Sequence, residues 1–510
     1  MRRYFSTKGP FYDFKALRAR APYLAANAAA RRAPCDVAGV LALHERHAAA
    51  ARAADALRAE RNAQARGGAA PSPAAAAAAR ALKERLALAE AAAAAARGAL
   101  EAAAGALPCD THPAAPRGDE SRAVTLGVLG APRAFAFPPR DHVALGSALG
   151  LLDLEASAGS AGAGFATLRG PGVALELALV QWALARCAGA GFALLAPPDV
   201  ALAQLVEGCG FAPRAAPGGA ASQVYALADS PLCLVGTAEI PLAALHAGGV
   251  LELPCSAAAA PPLLYAGWGR CFRREAGGAG AATRGLYRLH QFTKVEMFAY
   301  VVPGAELAPL REPGTFFAPD SARALLAGAP PPISGDAYTP ALCPAAETLF
   351  ARLVDLQVSM LSELGLCARV LDMPTEELGA SAFRKVDCEV WMPGMPGGGG
   401  GVGRWGEVSS ASNCMDYQAR RLGMRYRAAG TRGGGGGDDK GVGFLHTLNA
   451  TAAAVPRLLL SILETHQTED GCVEVPACLQ PYMGGVSVLR PVASGAGAAP
   501  SSRRLFGVSA

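Results

Sequence analysis

The 510-residue chain contains no Cys-x-x-Cys pair, and its thirteen cysteines, an odd number, stand singly. A disulfide framework or a zinc ribbon would show paired spacing, so these thiols read as reduced, buried small residues, and no zinc is expected. His44 and His47 form a His-x-x-His, but they lie in an alanine-rich helical stretch without a third ligand and read as a helix face. Also missing is a run of about 18 strongly apolar residues free of charge, Pro or Gly, and with it any expected membrane span. The 52% hydrophobic fraction does not argue otherwise, because much of it is alanine, which buries little surface per residue. Acids are absent from residues 1–12, where Arg2, Arg3 and Lys8 sit and Arg3-Tyr4-Phe5-Ser6 resembles an organellar processing site. A mitochondrial or plastid address is expected from this segment, with the cytoplasm as the alternative.

What is present begins with an uneven charge. Residues 1–110 carry seventeen Lys and Arg against nine acids, about +8, and the other 400 carry about −3. A basic N-terminal piece beside a near-neutral body points to an anionic partner. The length allows two domains and a large core. From Asp36, a plausible N-cap, Val40, Leu43, His47, Ala50, Ala54 and Leu57 recur at alternating spacings of three and four. The Gly/Pro-rich 65–73 breaks that helix, and Leu82, Leu86, Ala89, Ala93, Ala96, Leu100 and Ala103 repeat the pattern until Leu107-Pro108. Two helices of about 30 residues joined by a tight turn predict an antiparallel hairpin on the order of 45 Å long. A dimerising coiled coil or a plain spacer would share this pattern. Against both stand Arg46, Arg52, Arg58, Arg61, Arg66, Arg80, Lys83 and Arg97.

The most informative stretch is residues 268–296. It reads as strand, Gly-rich turn (Gly277, Gly278, Gly280) and returning strand, with Arg273 and Glu275 on one face of the first. The alternation places Arg288, His290, Phe292, Lys294 and Glu296 on one face of the second. So many charges on one side are unlike a core. Arginine forks grip phosphate, and an aromatic among them can lie on a nucleobase, although a solvated hairpin laced with ion pairs would read the same way.

Phe-Arg-Arg-Glu-Ala-Gly from Phe272, followed by Thr-Arg-Gly-Leu-Tyr-Arg-Leu-His-Gln-Phe-Thr-Lys-Val-Glu from Thr283, resembles motif 2 of the seryl-tRNA synthetases. The resemblance runs in family order from about residue 13 to 488. It takes in Asp13-Phe14-Lys15-Ala16-Leu17-Arg18, and the strand Gly191 to Pro198 that ends in Pro-Pro like motif 1 at the family's dimer interface. It continues through Thr237-Ala238-Glu239, read as an extended segment whose hydroxyl and carboxylate point one way, the helix Leu349 to Leu364 and the strand Asp387 to Pro393. Gly406-Glu407-Val408-Ser409-Ser410 follows, then Phe444 to Thr451 running into Val455-Pro456-Arg457 like motif 3, and Pro481-Tyr482-Met483-Gly484-Gly485.

The resemblance implies an α+β class: an antiparallel-sheet class II synthetase catalytic domain over 125–490, preceded by a helical, coiled-coil tRNA-binding arm over 13–110. Insertions fall near 303–345, 396–404 and 428–443, residues 1–12 are the targeting segment and 491–510 a tail. The implied activity is ligation of L-serine to tRNA(Ser) through seryl-adenylate, consuming ATP with Mg²⁺ in a homodimer away from membranes. Arg273 and Arg457 are the implied catalytic residues. ATP would meet Arg273, Arg274, Glu275, Arg288, Phe292, Glu407, Val408, Ser409, Ser410 and Arg457, with Glu407 and Ser410 holding Mg²⁺, a cation that prefers oxygen ligands. Serine would meet Thr237, Ala238, Glu239, Arg273, Glu296, Asn449 and Thr451. Two departures stand out: Ala281-Ala282 replace the family's usual Arg-Asp in the motif 2 loop, and Ala450 replaces a usual Gly. The first bears on handling of the tRNA acceptor end more than on ATP. The competing expectations are a catalytically impaired paralogue and a coiled-coil RNA-binding scaffold.

Overall fold

The computed structural model describes residues 11–66, 72–211, 223–275, 285–307, 333, 338–397, 402–429 and 442–492. Residues 1–10, the Gly277–Gly280 turn, Ala281, Ala282, most of the insertion expected at 303–345, the centres of both later Gly-rich runs and nearly all of the tail therefore lie outside the described residues.

After two short helices, Phe14–Ala19 and Ala21–Ala30, come two long ones, α1 (Val37–Arg66) and α2 (Pro73–Gly105). Each starts on a side-chain cap: Asp36 Oδ1 accepts from Gly39 N at 3.0 Å and Ser72 Oγ from Ala75 N at 3.1 Å. The alternating positions face inward. Val40, Ala54, Leu82, Leu86 and Leu100 are buried and Leu43, His47, Ala50, Leu57, Ala89, Ala93, Ala96 and Ala103 half-buried, among exposed neighbours. Arg58–Glu90 at 2.9 Å and Arg85–Glu60 at 3.9 Å pair rising with falling numbers, so the helices run antiparallel. Toward its base the hairpin gains a core of its own from Leu17, Tyr23, Leu24, Val37, Val40, Leu100 and Leu107. His44 stacks on Phe14 at 4.1 Å, as a packed helix-face residue does.

The body is built on an eight-stranded sheet: β1 (Val124–Leu129), β2 (Ala193–Leu195), β3 (Leu263–Phe272), β4 (Gln291–Val301), β5 (Ala368–Asp372), β6 (Arg384–Pro396), β7 (Val402–Met415) and β8 (His446–Ala454). Their spatial order is β1-β5-β6-β7-β8-β4-β3-β2, antiparallel throughout except that β2 lies parallel to β3 at the edge. β2 stops before Pro197-Pro198, which cannot donate to a further ladder. The helices α4 (Pro171–Gly189), α6 (Pro344–Glu363), α7 (Tyr417–Leu422) and α8 (Val455–Thr465) pack on the sheet, α3 (His142–Ala148) packs on α8, and β8, buried at every position, is largely small residues. By length and composition α4 could cross a membrane, yet Leu175, Ala178, Leu179, Trp182 and Ala183 bury it in the core. All thirteen cysteines are free thiols.

Hairpin base and body meet through Arg31. Its buried guanidinium donates to the carbonyls of Cys109, Gly379 and Ala382 at 2.7–2.9 Å, and Arg421 donates to Leu107 O at 2.7 Å.

Candidate active site

The β3–β4 hairpin exists as expected, Gly267 opposite Glu296 and Cys271 opposite Phe292, but its return begins later than alternation suggested. Gly285 has φ +70°, and Leu286 and Leu289 are both buried at a spacing of three, so 285–290 is a turn rather than strand. Arg288 and His290 therefore leave a turn, and Arg273 and Glu275 lie beyond the last strand residue, Phe272. Thr237-Ala238-Glu239 is likewise not extended. Ala238 is helical and Glu239 opens the short helix α5 (Glu239–Ala244), with Thr237 Oγ1 accepting from Glu239 N at 3.4 Å. The helical bend, not strand alternation, turns both side chains inward.

Two clusters result. In the first, Glu296 Oε2 accepts from the hydroxyls of Thr237 (3.2 Å) and Thr451 (3.4 Å) and pairs closely with Lys294 Nζ. Glu239 Oε1 accepts from Gln418 Nε2 at 2.6 Å and Asn449 Nδ2 at 3.0 Å. Burial, reinforced by the charge of Glu296 against the pull of Lys294, raises the Glu239 carboxyl to about 7. The side chains of Thr237, Glu239, Glu296, Asn449 and Thr451 are thus brought together, over a buried Ala238 backbone. Two polar, anionic walls and one lysine suit a small molecule carrying an ammonium and a hydroxyl.

The second cluster lies where β6, β7 and α8 meet. A bulge gives β7 one extra residue, since Ser409 faces Cys388 while Glu407 faces Glu389. That slip brings Glu407 and Ser410, which regular alternation would place on opposite faces, to the same face, together with Asp387 directly opposite Ser410. Arg457, in the first turn of α8, donates from Nη1 to Glu407 O at 2.8 Å, pairs with its carboxylate at 3.3 Å, and donates from Nε to Tyr287 O at 3.2 Å. Burial alone would raise the Glu407 carboxyl, but Arg457, Lys385 and Arg273 hold it well below the usual range. Asp387 is pushed up by burial and by Glu407, against its 2.7 Å pair with Lys385, and its Oδ1 has no partner among the described residues. An ionised carboxylate, a hydroxyl and an orphaned carboxyl oxygen on one face fit a hard divalent cation. No group of three His, Cys, Asp or Glu gathers among the described residues, so such an ion would complete its shell with water and phosphate oxygens.

Arg273 stands between the clusters. Its charge lowers the pKa of both Glu239 and Glu407, its Nε donates to Gly236 O at 3.3 Å, and its guanidinium lies 5.3 Å over the Phe292 ring. Arg288 pairs with Glu275 at 3.6 Å. Arg274 is exposed and held by its backbone to Gln223 O, apart from both clusters. Val408 is buried at the bulge, and Ser409 Oγ donates to Thr451 O at 2.6 Å, so that hydroxyl is already occupied. Sequence reasoning missed Lys294 and Gln418 as pocket members, Asp387 as an oxygen donor, and Tyr287, whose ring lies between Arg404 (4.6 Å) and Arg457 (4.8 Å). Alternation had placed Lys294 beside Glu296; the others carried no local signal.

No protein-family model matches the chain. It is 38% identical over 379 residues to a serine–tRNA ligase of Rhodopirellula baltica, covering 74% of this chain and 75% of that one. It is 39% identical over 385 residues to that of Streptomyces coelicolor, 75% of each. Among solved structures, a seryl-tRNA synthetase of Pyrococcus horikoshii complexed with ATP superposes with a TM-score of 0.71 at 29% identity, covering 95% of this chain and 100% of that one. The cytoplasmic serine–tRNA ligase of Naegleria fowleri in complex with AMP (TM-score 0.68, 22% identity, 95% and 100% covered) shares the fold.

Proposed function

The chain belongs to the seryl-tRNA synthetase family, and from that premise we propose how its two clusters divide one reaction. It is a class II serine–tRNA ligase that uses ATP to join serine to tRNA. Serine enters the first cluster with its ammonium toward Glu239 and Glu296 and its hydroxyl among Thr237, Asn449 and Thr451. ATP occupies the second, adenine toward Phe292, α-phosphate toward Arg273, and outer phosphates toward Arg288 and Arg457. A serine carboxylate oxygen then forms a bond to the α-phosphorus as the bridge to the β-phosphate breaks, releasing pyrophosphate. Little proton transfer is needed, so alignment and charge stabilisation carry the step. Glu407, Ser410 and Asp387 would hold Mg²⁺, which supplies charge neutralisation to the leaving phosphates. The terminal ribose hydroxyl of the tRNA next attacks the seryl carbonyl and AMP departs.

The observation that supports this reading is the geometry of Arg273, whose Nε donates to Gly236 O beside Thr237 and whose guanidinium lies over the Phe292 ring, with its charge lowering the pKa of both Glu239 and Glu407. Transfer of labelled serine to a tRNA(Ser) transcript tests it; protein that binds the transcript but never acylates it would support the impaired-paralogue reading, which Ala281-Ala282 motivates.

The α1–α2 hairpin, read as a coiled-coil arm, is assigned the tRNA. Arg46, Arg52, Arg61, Arg66, Arg80 and Lys83 are exposed on it, while Arg58 and Arg97 lean on Asp55, Glu90 and Glu101, so its outward charge is smaller than the raw count. A homodimer would form at the β2 edge, where Leu177, Leu194 and Trp268 are exposed.

A further inference from the structure

His142 and Glu464 are 1% and 0% exposed and belong to neither cluster. Glu464 sits in the last turn of α8, where the helix dipole disfavours an anion. Burying a carboxylate there is costly unless donors surround it, and they do. Oε1 accepts from the His142 backbone N–H at 3.0 Å and faces His142 Nδ1 at 2.8 Å, while Oε2 accepts from Gly394 N at 2.9 Å. The other ring nitrogen is also engaged, because Leu286 N–H donates to His142 Nε2 at 3.1 Å. Nε2 must be the bare nitrogen, and Nδ1 carries the proton toward Glu464.

Leu286 opens the return of the β3–β4 hairpin into the site, next to Tyr287 and Arg288. Arg457 and Glu464 are seven residues apart, two turns of one helix, and so share a face of α8. Arg457 grips the Tyr287 carbonyl directly and Glu464 grips the neighbouring Leu286 N–H through His142. Gly285 belongs to the same fitting: a Cβ there would lie 2.2 Å from His142 Nε2.

We propose that His142, oriented by Glu464, is a positioning residue for adenylate formation: it fixes the Leu286–Arg288 turn against α8, so that Arg288 and Arg457 meet the ATP phosphates in register. This rests on the assignment of Arg288 and Arg457 to ATP made above. Two isosteric variants separate positioning from folding. His142→Gln places an amide acceptor near Nε2 and keeps the Leu286 bond; His142→Asn places its amide near Nδ1, keeping the Glu464 contact and releasing Leu286. In serine-dependent ATP–pyrophosphate exchange by the full-length enzyme, His142→Asn should lose about 10–100-fold in kcat, the scale of a small misalignment, with the KM for serine unchanged. His142→Gln should stay within about tenfold of wild type, the scale of one hydrogen bond. Gly285→Ala, which attacks the same bond from the turn, should reproduce the Asn phenotype and carries the test if His142→Asn fails to fold. Equal losses in Asn and Gln variants that track their Tm, wild-type kcat in Asn or in Gly285→Ala, or a loss confined to serine KM would each overturn the proposal. Exchange by the wild-type enzyme reports separately on the functional reading itself.

Discussion

Gln418 Nε2 donates to Glu239 Oε1 at 2.6 Å, and both residues are buried. The bond is one of three contacts that offset the cost of ionising Glu239 there, after Lys294 and ahead of Arg273. Burial and the charge of Glu296 drive its carboxyl up to about 7, and Lys294, Gln418 and Arg273 restrain the rise. A carboxyl poised there is half-ionised near neutrality and becomes fully ionised when an ammonium arrives.

The first prediction concerns pH. With the free-enzyme carboxyl at about 7, Glu239 gains charge as pH rises, so serine binding strengthens from pH 6 to pH 8 and levels above. The serine KM should fall about tenfold across that interval, following the ionised fraction. Glu239→Gln should raise the KM and flatten the profile; a variant retaining the wild-type slope would assign the titration to another group.

On the assignment proposed above, Arg273→Ala removes a charge-assisted donor to the reacting phosphate and should lower serine-dependent exchange by about 10²–10³-fold. Pre-steady-state measurement of adenylate formation isolates the step. Near-wild-type rates would remove Arg273 from the junction.

Replacing residues 37–105 by a short linker should abolish serylation and spare serine activation, because the hairpin lies outside both clusters. Affinity of the intact protein for tRNA should drop steeply with salt as phosphate contacts release counterions. Loss of activation together with serylation would show that the hairpin supports the fold rather than the tRNA.

Much of this was legible in the sequence, for identifiable reasons. Helical periodicity from Val40 to Ala103 is a local property, and the burial pattern follows it residue by residue. The grouping of Thr237, Glu239, Glu296, Asn449 and Thr451 was implied by the family resemblance, since their residue types alone did not gather them. Their geometry was less accessible. Thr237 and Glu239 converge through a helix start rather than an extended segment, and Arg288 leaves a turn tied to His142 through the Leu286 N–H, a bond between positions 144 residues apart. The bulge that aligns Glu407 with Ser410 exists only in the pairing of β6 with β7, and Asp387 joins them by register. Gln418 and Glu239 meet across 179 residues of chain, which no local pattern encodes.

The most direct test of the central claim is ATP–pyrophosphate exchange measured in parallel with serine, alanine and threonine. Buried Thr237 and Thr451 already donate to Glu296 and Asn449 to Glu239; on the proposed reading the substrate hydroxyl meets their remaining hydrogen-bonding capacity, which alanine leaves unmet, and threonine adds a methyl the pocket must accommodate. The expected result is exchange with serine and a deficit on the order of 10⁴-fold in kcat/KM with alanine, the scale seen where a buried site is built around a substrate hydroxyl. Comparable kcat/KM for alanine and serine, or exchange that needs no amino acid, would contradict the account.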